Sequence, residues 1–310
     1  MEFILTGHDA HCSARCGELR LAHGTVRTPA FAPVATRGSV KGILPEQLRA
    51  CGTQVLLANA YHLELSPGAE AVAALGGLHR LMAWDRPIVT DSGGYQVFSL
   101  SGLRRITAEG VEFRSPMDGS VMMLGPREAI RIQNLLGADV AMAFDECPPC
   151  PCSRAVAQAT VERTLRWAAT CKEAHAGGGQ GLFGIVQGGT FEDLRGRCAE
   201  ELVRLDFDGY AIGGVSVGEG DELRQAAVRF TAPLLPAGCP RYLMGVGFPP
   251  DVLKAISHGI DLFDCVAPTR MGRNGTAFTA GGRLRLRNSA CRTDPRPIEE
   301  TCDCPACRLY

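Results

Sequence analysis

The chain has 310 residues, 45% of them hydrophobic, and a formal net charge of −1. That is enough apolar material for one large domain or two modest ones, and no apolar run approaches the ~18 residues that a membrane span needs. The near-neutral balance excludes a globally basic nucleic-acid binder. The opening residues Met1-Glu2-Phe3-Ile4-Leu5-Thr6-Gly7-His8-Asp9 lack the basic and apolar regions of a secretory signal, so a cytoplasmic protein with no membrane partner is expected.

In chain order, the first β-like run is 29–35, followed by a helical stretch at 44–51 with Pro45 and Glu46 in its first turn. Runs at 55–61 and 87–94 come next. Residues 98–125, with alternating Val111 and Phe113 and the turn pair Asp118-Gly119, read as a hairpin inserted after the third strand. A helix at 127–136, a strand at 140–146 and a long amphipathic helix at 153–175, with Ser153 as N-cap, continue the alternation. It goes on as strand 182–189, helix 191–205, strand 209–218, helix 223–235, strand 241–247, helix 252–258 and strand 262–269. Near-continuous apolar strands alternating with helices imply an α/β protein of the (β/α)8 TIM-barrel class. A doubly wound open sheet competes, but no GxGxxG opens a helix after the first strand. The expected domains are a catalytic barrel over 1–269 and an Arg-rich, Cys-rich segment over 270–310, with no helix recognised after the eighth strand.

In such a barrel, chemistry sits at the C-terminal ends of the strands. Polar residues gather there: Asn59 and His62, Asp91-Ser92-Gly93-Gly94-Tyr95-Gln96, Asp145-Glu146, Gln187-Gly188-Gly189, Gly213-Gly214 and Asp264. Two carboxylates facing one another across the mouth, Asp91 and Asp264, suit substitution at an anomeric carbon, one attacking and the other handling protons. Lone aspartates at such positions are usually caps or ion-paired acids; the flanking glycines and the shared barrel end favour function here. Between Arg270 and Arg296 lie seven arginines against one acid, Asp294, a pattern suited to phosphates.

Several segments, in order along nearly the whole chain, resemble the tRNA-guanine transglycosylases of the bacterial type. They are Asp91-Ser92-Gly93-Gly94-Tyr95-Gln96, Phe144-Asp145-Glu146-Cys147, Gly184-Ile185-Val186-Gln187-Gly188, Phe207-Asp208-Gly209-Tyr210-Ala211-Ile212-Gly213-Gly214, Tyr242-Leu243-Met244-Gly245-Val246-Gly247 and Asp264-Cys265-Val266-Ala267-Pro268-Thr269-Arg270, with the Cys302-x-Cys304-x2-Cys307 cluster. The resemblance implies Asp264 as the nucleophile at C1′ of the target guanosine, forming a covalent ribosyl–enzyme intermediate, and Asp91 as general acid/base on the departing and incoming base. It implies Asp145 and Gln187, the main chain at Gly214 and Val215, and Ser92 around the edge of the base, with Tyr95 and Met244 as its stacking walls. Arg270 and Arg273 are implied as RNA contacts. The partners implied are tRNA and a 7-deazaguanine base, in a homodimer of which one subunit works on the RNA while the other helps hold it. Cys147 and Val217 fit the bacterial substrate preQ1; Val215-Ser216 departs from the commoner Leu-Ala, and Phe248 stands where some members carry lysine. Rival readings are a non-catalytic tRNA-binding subunit, an enzyme using queuine or acting on DNA, and a glycoside hydrolase on a similar barrel.

Fourteen cysteines form two clusters and scattered singles. Cys302, Cys304 and Cys307 have the spacing of zinc thiolates, so a structural Zn2+ is expected. The family closes its tetrahedron with a histidine further along; all seven histidines here lie at or before His258, so the segment reads as incomplete before its last helix. Cys147, Cys150 and Cys152 could form a second metal site, but they lie in a proline-stiffened loop without an evident fourth ligand and read instead as a packed or solvent-facing loop. Cys51, Cys171, Cys198 and Cys239 read as small buried hydrophobes, and His79 and His258 as ordinary helix residues.

Overall fold

In the computed structural model, which describes residues 1–100 and 104–309, the chain opens with an antiparallel sheet of β1 (Glu2–His8), β2 (Arg15–Leu21) and β3 (Gly24–Thr28). Sequence periodicity misses this sheet for a physical reason. The covered positions of β2 are Arg15, Gly17 and Leu19, which are not an apolar alternation. Three strands follow, β4 (Ala30–Ala35), β5 (Leu56–Ala58) and β6 (Ile88–Thr90), and then the insertion β7 (Arg104–Ile106), β8 (Val111–Arg114) and β9 (Val121–Leu124). After it come β10 (Val140–Met142), β11 (Gly181–Val186), β12 (Gly209–Ile212), β13 (Arg241–Leu243) and β14 (Leu262–Cys265).

Strands β4–β6 and β10–β14 close into an eight-stranded parallel barrel with helices between most of them, as the alternation predicts. The paired strands are shorter than the apolar runs. Ala143, Phe144 and Asp145 are buried beyond the end of β10, so apolar character marks covering by the barrel mouth as well as hydrogen-bonded pairing. The expected hairpin is β8–β9, widened to three strands by β7. It begins later than expected, because Phe98 belongs to a helix over Gly94–Leu100; residues 101–103 of that stretch lie outside the described residues.

Local chemistry sets the long helices. Ser153 accepts a hydrogen bond from the Val156 N–H and caps the helix Arg154–Ala174. The helix Pro126–Leu136 starts on a proline and stops at Gly137, which takes the left-handed conformation at φ 71°. Its Gln133 repairs a gap in the barrel wall. Between β10 and β6 the only paired residues are Val140 and Val89. There the Gln133 side chain accepts from Met142 N (2.8 Å) and Thr90 Oγ1 (3.0 Å) and donates to the Met142 carbonyl (2.9 Å), standing in for missing ladder bonds. Trp167, fully buried on the long helix, donates its indole N–H to the Ala108 carbonyl (2.8 Å) and ties the insertion to the barrel.

By its contacts the chain falls into two compact units, Met1–Cys265 and Val266–Tyr310. The second contains a helix over Ala267–Arg273, the antiparallel hairpin β15 (Thr276–Thr279) and β16 (Gly282–Arg285), and a short helix over Pro305–Leu309. A helix therefore does follow the eighth strand, contrary to the sequence expectation. The strand stops at Cys265, and Pro268 sits in the first turn of the helix where the apolar run suggested strand to 269. No helix among the described residues is long and apolar enough to cross a membrane.

Candidate active site

Asp91 follows the last residue of β6, and Asp264 is the third residue of β14, in register with Ala32 of β4. Both sit at the C-terminal end of the barrel and both are buried. Asp91 accepts hydrogen bonds from the Asn59 amide, from the Ala60 N–H (2.8 Å) and from the Gln96 amide (2.9 Å). Burial pushes its carboxyl up to about 6; the Asn59 and Ala60 donors oppose the rise and the nearby charge of Asp264 adds to it. Asp264 Oδ1 accepts from the Tyr242 hydroxyl (2.6 Å) and the Gly245 N–H (2.9 Å). Burial also raises the Asp264 carboxyl, against the pull of those two donors. Oδ2 of Asp264 has no hydrogen bond among the described residues. One carboxylate is thus gripped on both oxygens, and the other is held by one oxygen with the second left open.

Beside this pair lies a polar wall. Asp145 accepts from the Gln187 amide (2.6 Å) and from Ser92 Oγ (3.4 Å), and burial pushes its carboxyl up to about 6. Gln187 Oε1 is buried without a hydrogen-bond partner, so this wall keeps one vacant acceptor. It lies against Gly214, where a Cβ would come within 2.4 Å of it; at φ 64° the backbone there also favours glycine. Val215 beyond it is buried. Gly213 and Gly214 come after β12 ends at Ile212, not within the strand as the apolar run suggested. Tyr95 is 52% exposed on the helix Gly94–Leu100, and Met244, just past β13, is half-buried.

Arg270 and Arg273 occupy the last turn of the helix Ala267–Arg273, and both are exposed. In the same unit, the sulfurs of Cys302, Cys304 and Cys307 lie within 4.8 Å of one another, and the Cys307 N–H points at Cys304 Sγ (3.5 Å). Thiolates at about 2.3 Å from a tetrahedral ion lie roughly 3.8 Å apart, so the three side chains fit one metal ion.

Three site features escape the sequence reading. Tyr242 presents its hydroxyl to Asp264 from the middle of the short strand Arg241–Leu243; a tyrosine in a buried barrel strand is the signal. Arg195, fully buried on the helix Glu192–Arg204, falls in the stripe Leu194, Cys198, Ala199, Leu202, where an arginine is out of place. His79 is not an ordinary helix residue. It stacks on His23 with ring centroids 3.5 Å apart, and the two rings bind opposite oxygens of the wholly buried Asp139 at 3.0 and 2.9 Å. Burial would raise the Asp139 carboxyl, but donors from His79, Ile88 and His23 outweigh it and hold it at about 2. Rings only 18° from parallel direct their lone pairs along separate lines, which suits two hydrogen bonds and not one shared ion. Cys51, expected to be buried, is exposed at a helix end, whereas Cys171 and Cys198 are buried as expected.

The comparison with known proteins decides the family. Residues 9–310 match the family model described as queuine tRNA-ribosyltransferase. The chain belongs to this family. It is 55% identical, over its whole length and 84% of the relative, to the queuine tRNA-ribosyltransferase of Pelotomaculum thermopropionicum. It is 56% identical over 97% of its length, and 82% of the relative, to that of Nitrosomonas europaea. A third queuine tRNA-ribosyltransferase, from Thermosynechococcus vestitus, is 54% identical over the whole chain and 82% of its own length. Membership makes the protein an enzyme of the glycosyl-transferring, pentosyltransferase class.

Proposed function

We propose that the protein exchanges guanine at the wobble position of tRNAs with a G-U-N anticodon (those for Asp, Asn, His and Tyr) for the 7-deazaguanine preQ1, by double displacement at C1′. The observation that carries this reading is the asymmetric pair of buried aspartates. Asp264 has one oxygen fixed by Tyr242 and Gly245 and the other open, the form of a carboxylate nucleophile. Asp91, held on both oxygens and raised to about 6, changes ionisation near neutral pH, as a proton carrier must.

The steps follow from these residues. Asp264 Oδ2 attacks C1′; the bond from C1′ to guanine N9 breaks, and Asp91 gives its proton to the departing base. The ribose stays esterified to Asp264. The incoming base then returns a proton from N9 to Asp91 and attacks C1′, and the Asp264 carboxylate leaves. The base is read at its edge by Asp145, Ser92, the vacant Gln187 oxygen and the main chain at Gly214 and Val215, and it stacks between Tyr95 and Met244. The target nucleotide must leave its stack to reach this depth.

In the unit after the barrel, Arg270 and Arg273 contact tRNA phosphates, and Cys302, Cys304 and Cys307 hold a structural Zn2+ that orders the segment between them. Zinc supplies no step of the exchange. The working form is a cytoplasmic homodimer. A non-catalytic subunit is disfavoured because both aspartates are present and arranged for chemistry.

The test is incubation with radiolabelled guanine and a G-U-N tRNA. Label enters the RNA with the intact enzyme and not with Asp264→Asn; equal incorporation by that variant rejects the reading. Competition between preQ1 and queuine separates the two base preferences.

A further inference from the structure

Arg195 lies wholly inside the barrel wall, 0% exposed, and makes no ion pair among the described residues. Its partners are backbone carbonyls. Nε donates to Gly189 O (2.6 Å), and Nη2 donates to Gly213 O (3.1 Å) and Gly214 O (3.4 Å). Nη1 is buried with no partner. A guanidinium in such a place is costly: its charge is desolvated and only neutral acceptors answer it. Burial draws its pKa down to about 10, so it remains a cation at neutral pH. A leucine would serve the apolar stripe of this helix better. The cost therefore points to what the carbonyls belong to.

They belong to the two glycine-rich turns that follow β11 and β12, Gly188-Gly189 and Gly213-Gly214. Gly188 and Gly214 adopt φ of 142° and 64°. Such turns have wide conformational freedom unless something external fixes them. One guanidinium bridges both. The start of the helix also packs tightly on the first turn: a Cβ at Gly188 would come within 2.7 Å of the Arg195 main-chain nitrogen and 2.8 Å of its Cγ. Each carbonyl it holds also shares a peptide with an N–H on the far side. The Gly213 carbonyl is in one peptide with the Gly214 N–H, and the Gly214 carbonyl with the Val215 N–H. Donation to a peptide oxygen polarises that peptide and strengthens its N–H as a donor.

We propose that Arg195 is a positioning residue of the base-binding wall: it locks the turns after β11 and β12 and aims and strengthens the Gly214 and Val215 N–H groups as donors to the bound purine. This rests on the reading that those N–H groups contact the base. Arg195 touches neither base nor ribose and acts through the backbone. Lysine keeps the charge and reaches one carbonyl; methionine keeps the volume and reaches none.

The experiment measures KM for guanine and KM for tRNA separately, together with equilibrium binding of guanine to the enzyme without RNA, for the full chain, Arg195→Lys and Arg195→Met. Thermal unfolding monitors folding. Expected is a guanine KM and Kd raised at least tenfold in Arg195→Met and less in Arg195→Lys, with the tRNA KM within twofold of the parent. If Arg195→Met does not fold, Arg195→Lys alone decides, by the same split. Unchanged guanine binding in a folded variant overturns the proposal, as does an equal loss for guanine and tRNA, which would mark a general loosening. If the parent enzyme exchanges no guanine, the transglycosylase reading fails instead, and guanine binding alone then decides the role of Arg195.

Discussion

The Tyr242 hydroxyl donates to Asp264 Oδ1 over 2.6 Å, inside a barrel where both side chains are buried. Burial raises the tyrosine well above its ordinary range, and the Asp264 charge adds to this, so Tyr242 keeps its proton and stays a donor. It fixes one carboxylate oxygen and thereby sets the direction of the other. Removing the hydroxyl in Tyr242→Phe is expected to lower kcat about tenfold or more, the worth of one hydrogen bond to a charged group, with little change in the tRNA KM. Steady-state exchange kinetics check this; an unchanged kcat would show that Gly245 N–H suffices.

Asp91 predicts a pH-dependent trade between stability and activity. Its carboxyl titrates near 6 in the folded protein and near 3.8 when unfolded. Below pH 3.8 both states are protonated and no penalty exists. As pH rises from there to 6, the unfolded chain releases its proton while the folded one retains it, so stability falls; above 6 the folded state bears a buried charge. Asp91→Asn removes this dependence. Relative to the parent, the variant is expected to gain about 1–3 kcal/mol between pH 4 and pH 7, while exchange activity is lost. Denaturant titrations at the two pH values measure the difference. A constant difference would place the Asp91 carboxyl at an ordinary value.

The acidic limb of activity should lie high. Asp264 must be ionised to attack, and burial raises its carboxyl; Asp145, at the base edge, is pushed up to about 6, whereas Asp91, which must carry a proton to begin the exchange, bears on the alkaline side. Exchange is expected to decline as pH falls, beginning above the ordinary carboxylate range. Activity that holds flat down to pH 4 would contradict the burial argument for Asp264 and Asp145.

Gln133→Leu should destabilise the barrel without touching the site. It leaves the Met142 N–H and carbonyl unpaired inside the wall, where each orphaned group costs ~1–3 kcal/mol. A loss of about 2–4 kcal/mol by chemical denaturation is expected. A loss under 1 kcal/mol would mean that β6 and β10 re-pair directly.

Metal analysis tests the cysteine cluster. One zinc per chain is expected in the intact protein, and less than one in Cys304→Ser, since the three sulfurs converge. Equal metal content in both would place any bound ion elsewhere.

Much of this molecule was legible in the sequence. The barrel strands showed as apolar runs because a parallel barrel covers both faces of its strands, and the aspartates showed because carboxylates at strand ends have no packing role. What escaped had patterns set by something other than periodicity. The β1–β3 sheet covers an arginine and a glycine where an apolar alternation was sought. The helix at Ala267–Arg273 follows an apolar run that its strand leaves early. Tyr242, Arg195 and the His23–His79–Asp139 stack act through contacts between residues distant in the chain. Arg195 had a visible sign, its place in a buried stripe, whereas the histidine stack had none: His23 and His79 meet only because Asp139 draws both.

The central claim is that Asp264 becomes covalently joined to ribose. The most direct measurement is mass spectrometry of peptides from enzyme quenched by denaturation while turning over a G-U-N tRNA without an incoming base. The account predicts a ribose-linked adduct on the peptide carrying Asp264, absent from Asp264→Asn and still formed in Tyr242→Phe. An adduct on the Asp91 peptide instead, or full exchange by an enzyme in which no adduct forms, would contradict it.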